Sequence, residues 1–157
     1  MPVCSAALSQ YNLDACSDGA GGVILAWQDF RSGHASEVYV ARVGADGAPV
    51  SGWAAGGVPA ASGAPDQYSP CLASDGAGGA FVIWQSREAN GLGARVQHLS
   101  AAGAAASGWP AAGVVLMPGV AQVAGVSLAR SSSGKLQLVW RAASDTSELV
   151  LKTARLD

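Results

Sequence analysis

Tyr11 and Tyr68 stand 57 positions apart, each directly after a glutamine, Gln10 and Gln67. A phenol ring beside a carboxamide can stack on one face of a sugar and hydrogen-bond its hydroxyls. The stretches WQDFRSGH (27–34) and WQSREANG (84–91) add Asp29, Arg31 and Arg87 as charged donors and acceptors. Trp53 and Trp109 lie in connections rich in glycine and alanine, where a large ring suits stacking on an apolar ligand face. Tyr11, Asp29, Arg31, Gln67, Tyr68, Arg87, Trp53 and Trp109 are therefore the candidate ligand-binding set. Carbohydrate is the ligand class that repeated, shallow, polar and aromatic pockets fit. The structural alternative is that the arginines tie neighbouring units together through carboxylates and carbonyls, while the tryptophans pack under their loops.

Reactive chemistry is harder to assemble. His34 and His98 sit in no recognisable nucleophile context, and no phosphate loop or metal-ligand cluster occurs. Asp18 and Asp75 precede glycine turns, where a carboxylate accepts the turn's own N–H groups; calcium would need three or more further oxygen ligands. Arg42, His98 and Arg155 fall at equivalent positions on predicted strands and are expected to face solvent. Cys4, Cys16 and Cys71 match no zinc spacing and read as small buried hydrophobes, with one disulfide as the alternative. The expectation is a protein that is not an enzyme and carries no metal and no cofactor.

What must position these groups is a repeat. SDGAGGVILAWQ (17–28) returns as SDGAGGAFVIWQ (74–85), and Trp27, Trp84 and Trp140 are spaced by 57 and 56. The third copy, SSSGKLQLVWR (131–141), has lost the aspartate and the second glycine. Each unit predicts four strands: a short first one (69–75), a hairpin return after the glycine turn (80–85), a third (94–100, matching 38–44 and 149–157) and a fourth (57–62 and 113–118). The second strand is apolar on both faces, as expected for a sheet sandwiched between two others.

This pattern predicts a single all-β repeat domain over 1–157, a β-propeller with blades at about 13–62, 70–118 and 126–157. The N-terminal PVCSA (2–6), aligned through Val3 with Val58 and Val114, is expected to complete the last blade, either of its own chain or of a second copy. Propellers use about four to eight blades, so three per chain predict a half-propeller that forms a six-bladed ring as a homodimer. A β-trefoil is the alternative fold.

Only 13% of residues are charged, against about a quarter in most domains, so the surface favours association. Nine Lys and Arg are scattered singly in a chain of net charge −2, which argues against nucleic acid as a partner. No apolar run reaches the length of a membrane span, so membrane insertion is not expected. The start MPVCSAALSQYNLD does not read as a signal peptide, which leaves a cytosolic protein or one whose export signal is absent from this sequence.

The motifs DGAGG (18–22) and WQDFR (27–31) resemble the DG-x-GG and W-x-D-x-R units of long arrays in bacterial secreted and cell-surface proteins, related to sialidase-type (Asp-box) propellers. The resemblance runs along the whole chain and weakens in the third copy. It implies a propeller fold and an exported origin, without a known activity. A purely structural, self-assembling propeller with no ligand is the alternative function; a glycosidase or sialidase-like enzyme is the least favoured, because its site would need an arginine cluster, a tyrosine and paired carboxylates converging at one mouth.

Overall fold

A computed structural model of the chain describes residues 2–63, 66–89, 91–120, 123–133, 135–143 and 149–156; of these, 118–120, 123–126, 141–143 and 149–156 are described by backbone alone. The fold is all-β, with no helix among the described residues, and hence none long and apolar enough to cross a membrane. Three antiparallel meanders follow one another: β1 (Gln10–Ser17), β2 (Val23–Asp29), β3 (Glu37–Val43) and β4 (Val58–Pro59); β5 (Gln67–Ser74), β6 (Ala80–Glu88), β7 (Gly91–Leu99) and β8 (Val114–Val120); β9 (Val123–Arg130), β10 (Leu136–Ala143) and β11 (Leu149–Leu156). Register confirms the repeat, because Trp27, Trp84 and Trp140 pair with Tyr39, Arg95 and Lys152 at equivalent seats.

The twelve repeated residues recur because one hairpin needs all of them. Asp18 Oδ1 accepts the N–H groups of Ala20 and Gly22, both at 2.8 Å, and Asp75 Oδ1 accepts those of Ala77 and Gly79 at 2.7 and 2.9 Å. Gly19 and Gly21 turn through φ of 78° and 86°, a region open to glycine at little cost. At Gly22 and Gly79 a Cβ would run into the carbonyl oxygens of Val43 and Leu99.

The sheets stack in one repeated way. Ile24, Ala26, Val38 and Val40 on one face of the first sheet share a buried cluster with Leu72, Val82 and Trp84 of the second. On the opposite face of β6, Ile83 joins Leu138, Leu128 and Trp140 of the third sheet. Thus β6 is covered on both faces, as its two-faced apolar sequence predicts. The sheets approach through their first strands, β1 against β5 and β5 against β9.

Several boundaries differ from expectation. β5 starts two residues early, so Gln67 and Tyr68 lie on a strand and not in a loop. A bulge follows Tyr11 in β1 and Tyr68 in β5, with Asn12 and Ser69 at φ of 52° and 48°. Gln28 links the first two sheets here: its Oε1 accepts from Asn12 Nδ2 (2.8 Å) and Ser69 N (3.4 Å), bridging the two bulges.

The N-terminal segment does not complete a blade of its own chain. Pro2–Cys4 pair with no strand among the described residues and do not complete the third sheet, which has three strands. Pro2 and Val3 lie in a crevice of the first sheet beside Ala41, Val43, Gly47 and Pro49. Residues 58–62 border a corresponding crevice of the second sheet, beside Gln97, Leu99, Gly103 and Ala105.

Candidate functional site

The residues proposed to hold a ligand do not converge on one pocket. Asp29 is 0% exposed. Its Oδ2 accepts Trp27 Nε1 and Arg31 Nη2, each at 2.7 Å, and its Oδ1 accepts the Arg31 N–H at 2.8 Å. Burial pushes the Asp29 carboxyl up, but the bonds from Arg31 and Trp27 outweigh it and hold the group below the usual carboxylate range. Arg31 also donates to Gly56 O (2.8 Å) and Cys4 Sγ (3.3 Å), and its guanidinium carbon stands 3.7 Å above the Tyr39 ring.

In the second sheet the same clamp is built from exchanged positions. Ser86 takes the place of Asp29, Glu88 that of Arg31, and Arg95 that of Tyr39. Arg95 Nε and Nη2 bind Glu88 at 2.7 and 3.0 Å, and Nη1 donates to Ala112 O (3.1 Å), the counterpart of Gly56 O. The Arg95 hydrogen bond, acting against burial, holds the Glu88 carboxyl low. Each clamp grips the connection into the fourth strand, which is a structural task. Arg95 and Glu88 were not among the candidates; their signal is the simultaneous exchange of three residue types at one register.

Other candidates are likewise occupied. Gln67 is 1% exposed; it accepts from Val38 N through Oε1 at 2.9 Å, and its backbone bonds Ser36, joining the first two sheets. Trp53 is buried between those sheets with Nε1 on Ala101 O (3.0 Å). Half-buried Trp109 stands near the stacked rings of Phe81 and His98. The accessible groups are Tyr11, edge-on to Phe30, and Arg87, 3.7 Å from Asp66, with Tyr68 half-buried and its hydroxyl donating to Asp66 at 3.0 Å. Asp29, Gln67 and Trp53 are thus closed to a ligand because the sheets' own contacts use them.

Arg42 and His98 do not face solvent freely. Arg42 binds Asp18 Oδ2 through Nε and Nη2 (3.0 and 2.9 Å), and His98 Nε2 lies 2.9 Å from Asp75 Oδ2. Each therefore ties its third strand to the glycine turn. The Arg155 side chain lies outside the described residues. Trp27 Nε1 donates to the Asp29 carboxylate, while Trp84 Nε1 is buried without a hydrogen-bond partner.

A crevice of about 600 Å³ opens where the first strands meet, and Asp14, Cys71 and Ser127 occupy equivalent seats along it. Asp14 Oδ2 accepts Leu72 N at 2.7 Å, which joins β1 to β5. Burial, and then the nearby Asp14, Asp75 and Asp18, push the Cys16 thiol up to about 11. Burial and Asp14 raise Cys71 as well. Both thiols stay protonated at neutral pH and make poor nucleophiles. Among the described residues, no group of three or more His, Cys, Asp and Glu is placed to hold a metal ion.

One feature sits at the end of the stack. Leu13 is 67% exposed and Leu25 half-buried on the free face of the first sheet, whereas their counterparts Pro70 and Val82 are buried beneath a neighbouring sheet. Val3, Tyr11, Leu13, Leu25 and Trp27 border a groove of about 360 Å³ there. In comparisons with protein-family models, curated proteins and solved structures, nothing matches this chain.

Proposed function

We propose that this chain is a non-enzymatic β-propeller module that acts as a scaffold by self-assembly, two copies forming one six-bladed ring. The observation that carries this reading is the exposure of Leu13, with Leu25 half-buried beside it, at seats whose counterparts in the next sheet are buried. Sheets that stack face to face, with no ladder between repeats among the described residues, favour blades over a trefoil. An exported bacterial origin rests on the resemblance of the repeat.

Glycan binding is the second reading. Tyr68, Asp66 and Arg87 favour it as the accessible polar and aromatic group on one rim. A saccharide-induced rise in melting temperature that disappears in Tyr68→Ala would support it.

The scaffold reading is tested at Leu13. A charge on this exposed side chain disturbs no buried contact of the single chain, but it would be desolvated in an assembled ring. Leu13→Lys is expected to give folded monomers in native mass spectrometry where the unchanged chain gives dimers. An undiminished dimer in the variant contradicts the reading.

A further inference from the structure

The crevice of about 600 Å³ where β1, β5 and β9 meet has the size of a small-molecule site, and Asp14 is the one charged residue on its border among the described residues. Asp14 forms no ion pair among those residues. Its Oδ1 accepts the Ala15 N–H at 2.9 Å and its Oδ2 that of Leu72 at 2.7 Å, which leaves about two of its four acceptor positions open. After burial, its charge is the largest cause that raises the Cys16 and Cys71 thiols, so the surroundings of the crevice are negative. Stacking alone does not require this carboxylate, because β5 packs against β9 with the neutral Cys71 in the seat of Asp14. A second acceptor stands beside it. Gln28 uses its carboxamide oxygen on Asn12 and Ser69, whereas Gln85, at the same seat of β6, borders the crevice half-buried with no hydrogen bond from its carboxamide among the described residues. The exposed Ser127 hydroxyl on β9 is likewise without a partner among those residues.

We propose that this crevice binds a small primary alkylammonium ion, its three N–H groups donating to Asp14, the Gln85 carboxamide oxygen and the Ser127 hydroxyl. Three acceptors drawn from three sheets, one of them charged, match the three donors and single charge of an ammonium head. Leu72 and Leu128 border the same crevice and offer an apolar wall to a short carbon chain. A divalent metal ion fits this donor set poorly, since calcium and magnesium take about six oxygen ligands and usually more than one carboxylate. An anion would meet Asp14 with no cation on the border to offset it. The site lies within one chain and does not rest on the ring reading.

The test is an NMR titration of the full chain with n-butylammonium, followed through the backbone amides of residues 71, 72, 85 and 127 and the Gln85 side-chain amide. The expected result is a saturable shift of these signals that 1-butanol, butyrate and tetramethylammonium, which lack the charge, carry the opposite one or cannot donate, do not reproduce. Asp14→Asn keeps an oxygen for the Leu72 N–H while removing the charge, and it should weaken binding about tenfold or more, the worth of a hydrogen bond to a charged group. Gln85→Ala, which breaks no hydrogen bond among the described residues, should weaken binding as well and decides the matter if the Asp14 variant does not fold. No shift at these residues, an equal response to 1-butanol, or unchanged affinity in the folded variants overturns the proposal.

Discussion

Trp84→Ala is expected to lower the unfolding free energy by about 3–5 kcal/mol, the cost of removing a large aromatic from a core. Trp84 is fully buried among Val82, Leu99, Ile24 and Val40, where two sheets meet. Its ring also fills the space beside Gly113, where an added Cβ would stand 2.8 Å from Cη2, so the backbone is already close on that side. The cavity would open between sheets and weaken the contact that repeats along the chain. Urea unfolding measures the loss. Because Trp84 Nε1 has no hydrogen-bond partner, Trp84→Phe should lose only volume, and clearly less stability than the alanine variant. A loss under about 1 kcal/mol for alanine would mean that the sheets are not held by this contact.

Asp29→Ala is the second large effect, at about 3 kcal/mol, because removing one partner of a buried ion pair leaves the other charge uncompensated. Arg31 would keep Gly56 and the Tyr39 face, but Trp27 Nε1 would lose its acceptor. The effect should depend on pH in a defined sense. The native Asp29 carboxyl lies below its unfolded value, so its contribution is full above about pH 4. The contribution then declines as pH falls through the unfolded value towards the depressed native one. The urea midpoints of the two proteins should therefore differ most at pH 7, and the difference should begin to narrow as pH falls below about 4. A constant difference between pH 7 and pH 3 would mean that Asp29 stabilises by packing alone.

The two effects show where the sequence is readable and where it is not. Repeats of DGAGG and tryptophan reveal the hairpins, the unit length and the two-faced second strand, because turn chemistry and alternation are local. The bulges at Asn12 and Ser69 are hidden, since Ser seldom takes a positive φ and Asn, which does so readily, takes it in turns as often as in bulges; they interrupt the strands that hold Tyr11 and Tyr68. Several polar candidates are taken up by the fold for a related reason. Asp29, Arg31 and Gln67 have the chemistry of a binding site, yet adjacent sheets offer them carbonyls and amides at closer range than any ligand. Whether a polar side chain serves a ligand or a neighbouring sheet depends on tertiary contact, which one sequence does not encode locally. The exchange of roles among Asp29, Arg31 and Tyr39 with Ser86, Glu88 and Arg95 was present in the residue types. It becomes legible only when register aligns the two sheets.

The central claim is that the open end faces of the stack belong against a second copy. Light scattering behind a sizing column, at micromolar concentration, tests it most directly. The account predicts a single species at about twice the chain mass of 15.6 kDa. A well-folded species at the mass of one chain, or an open series of larger assemblies, would contradict it.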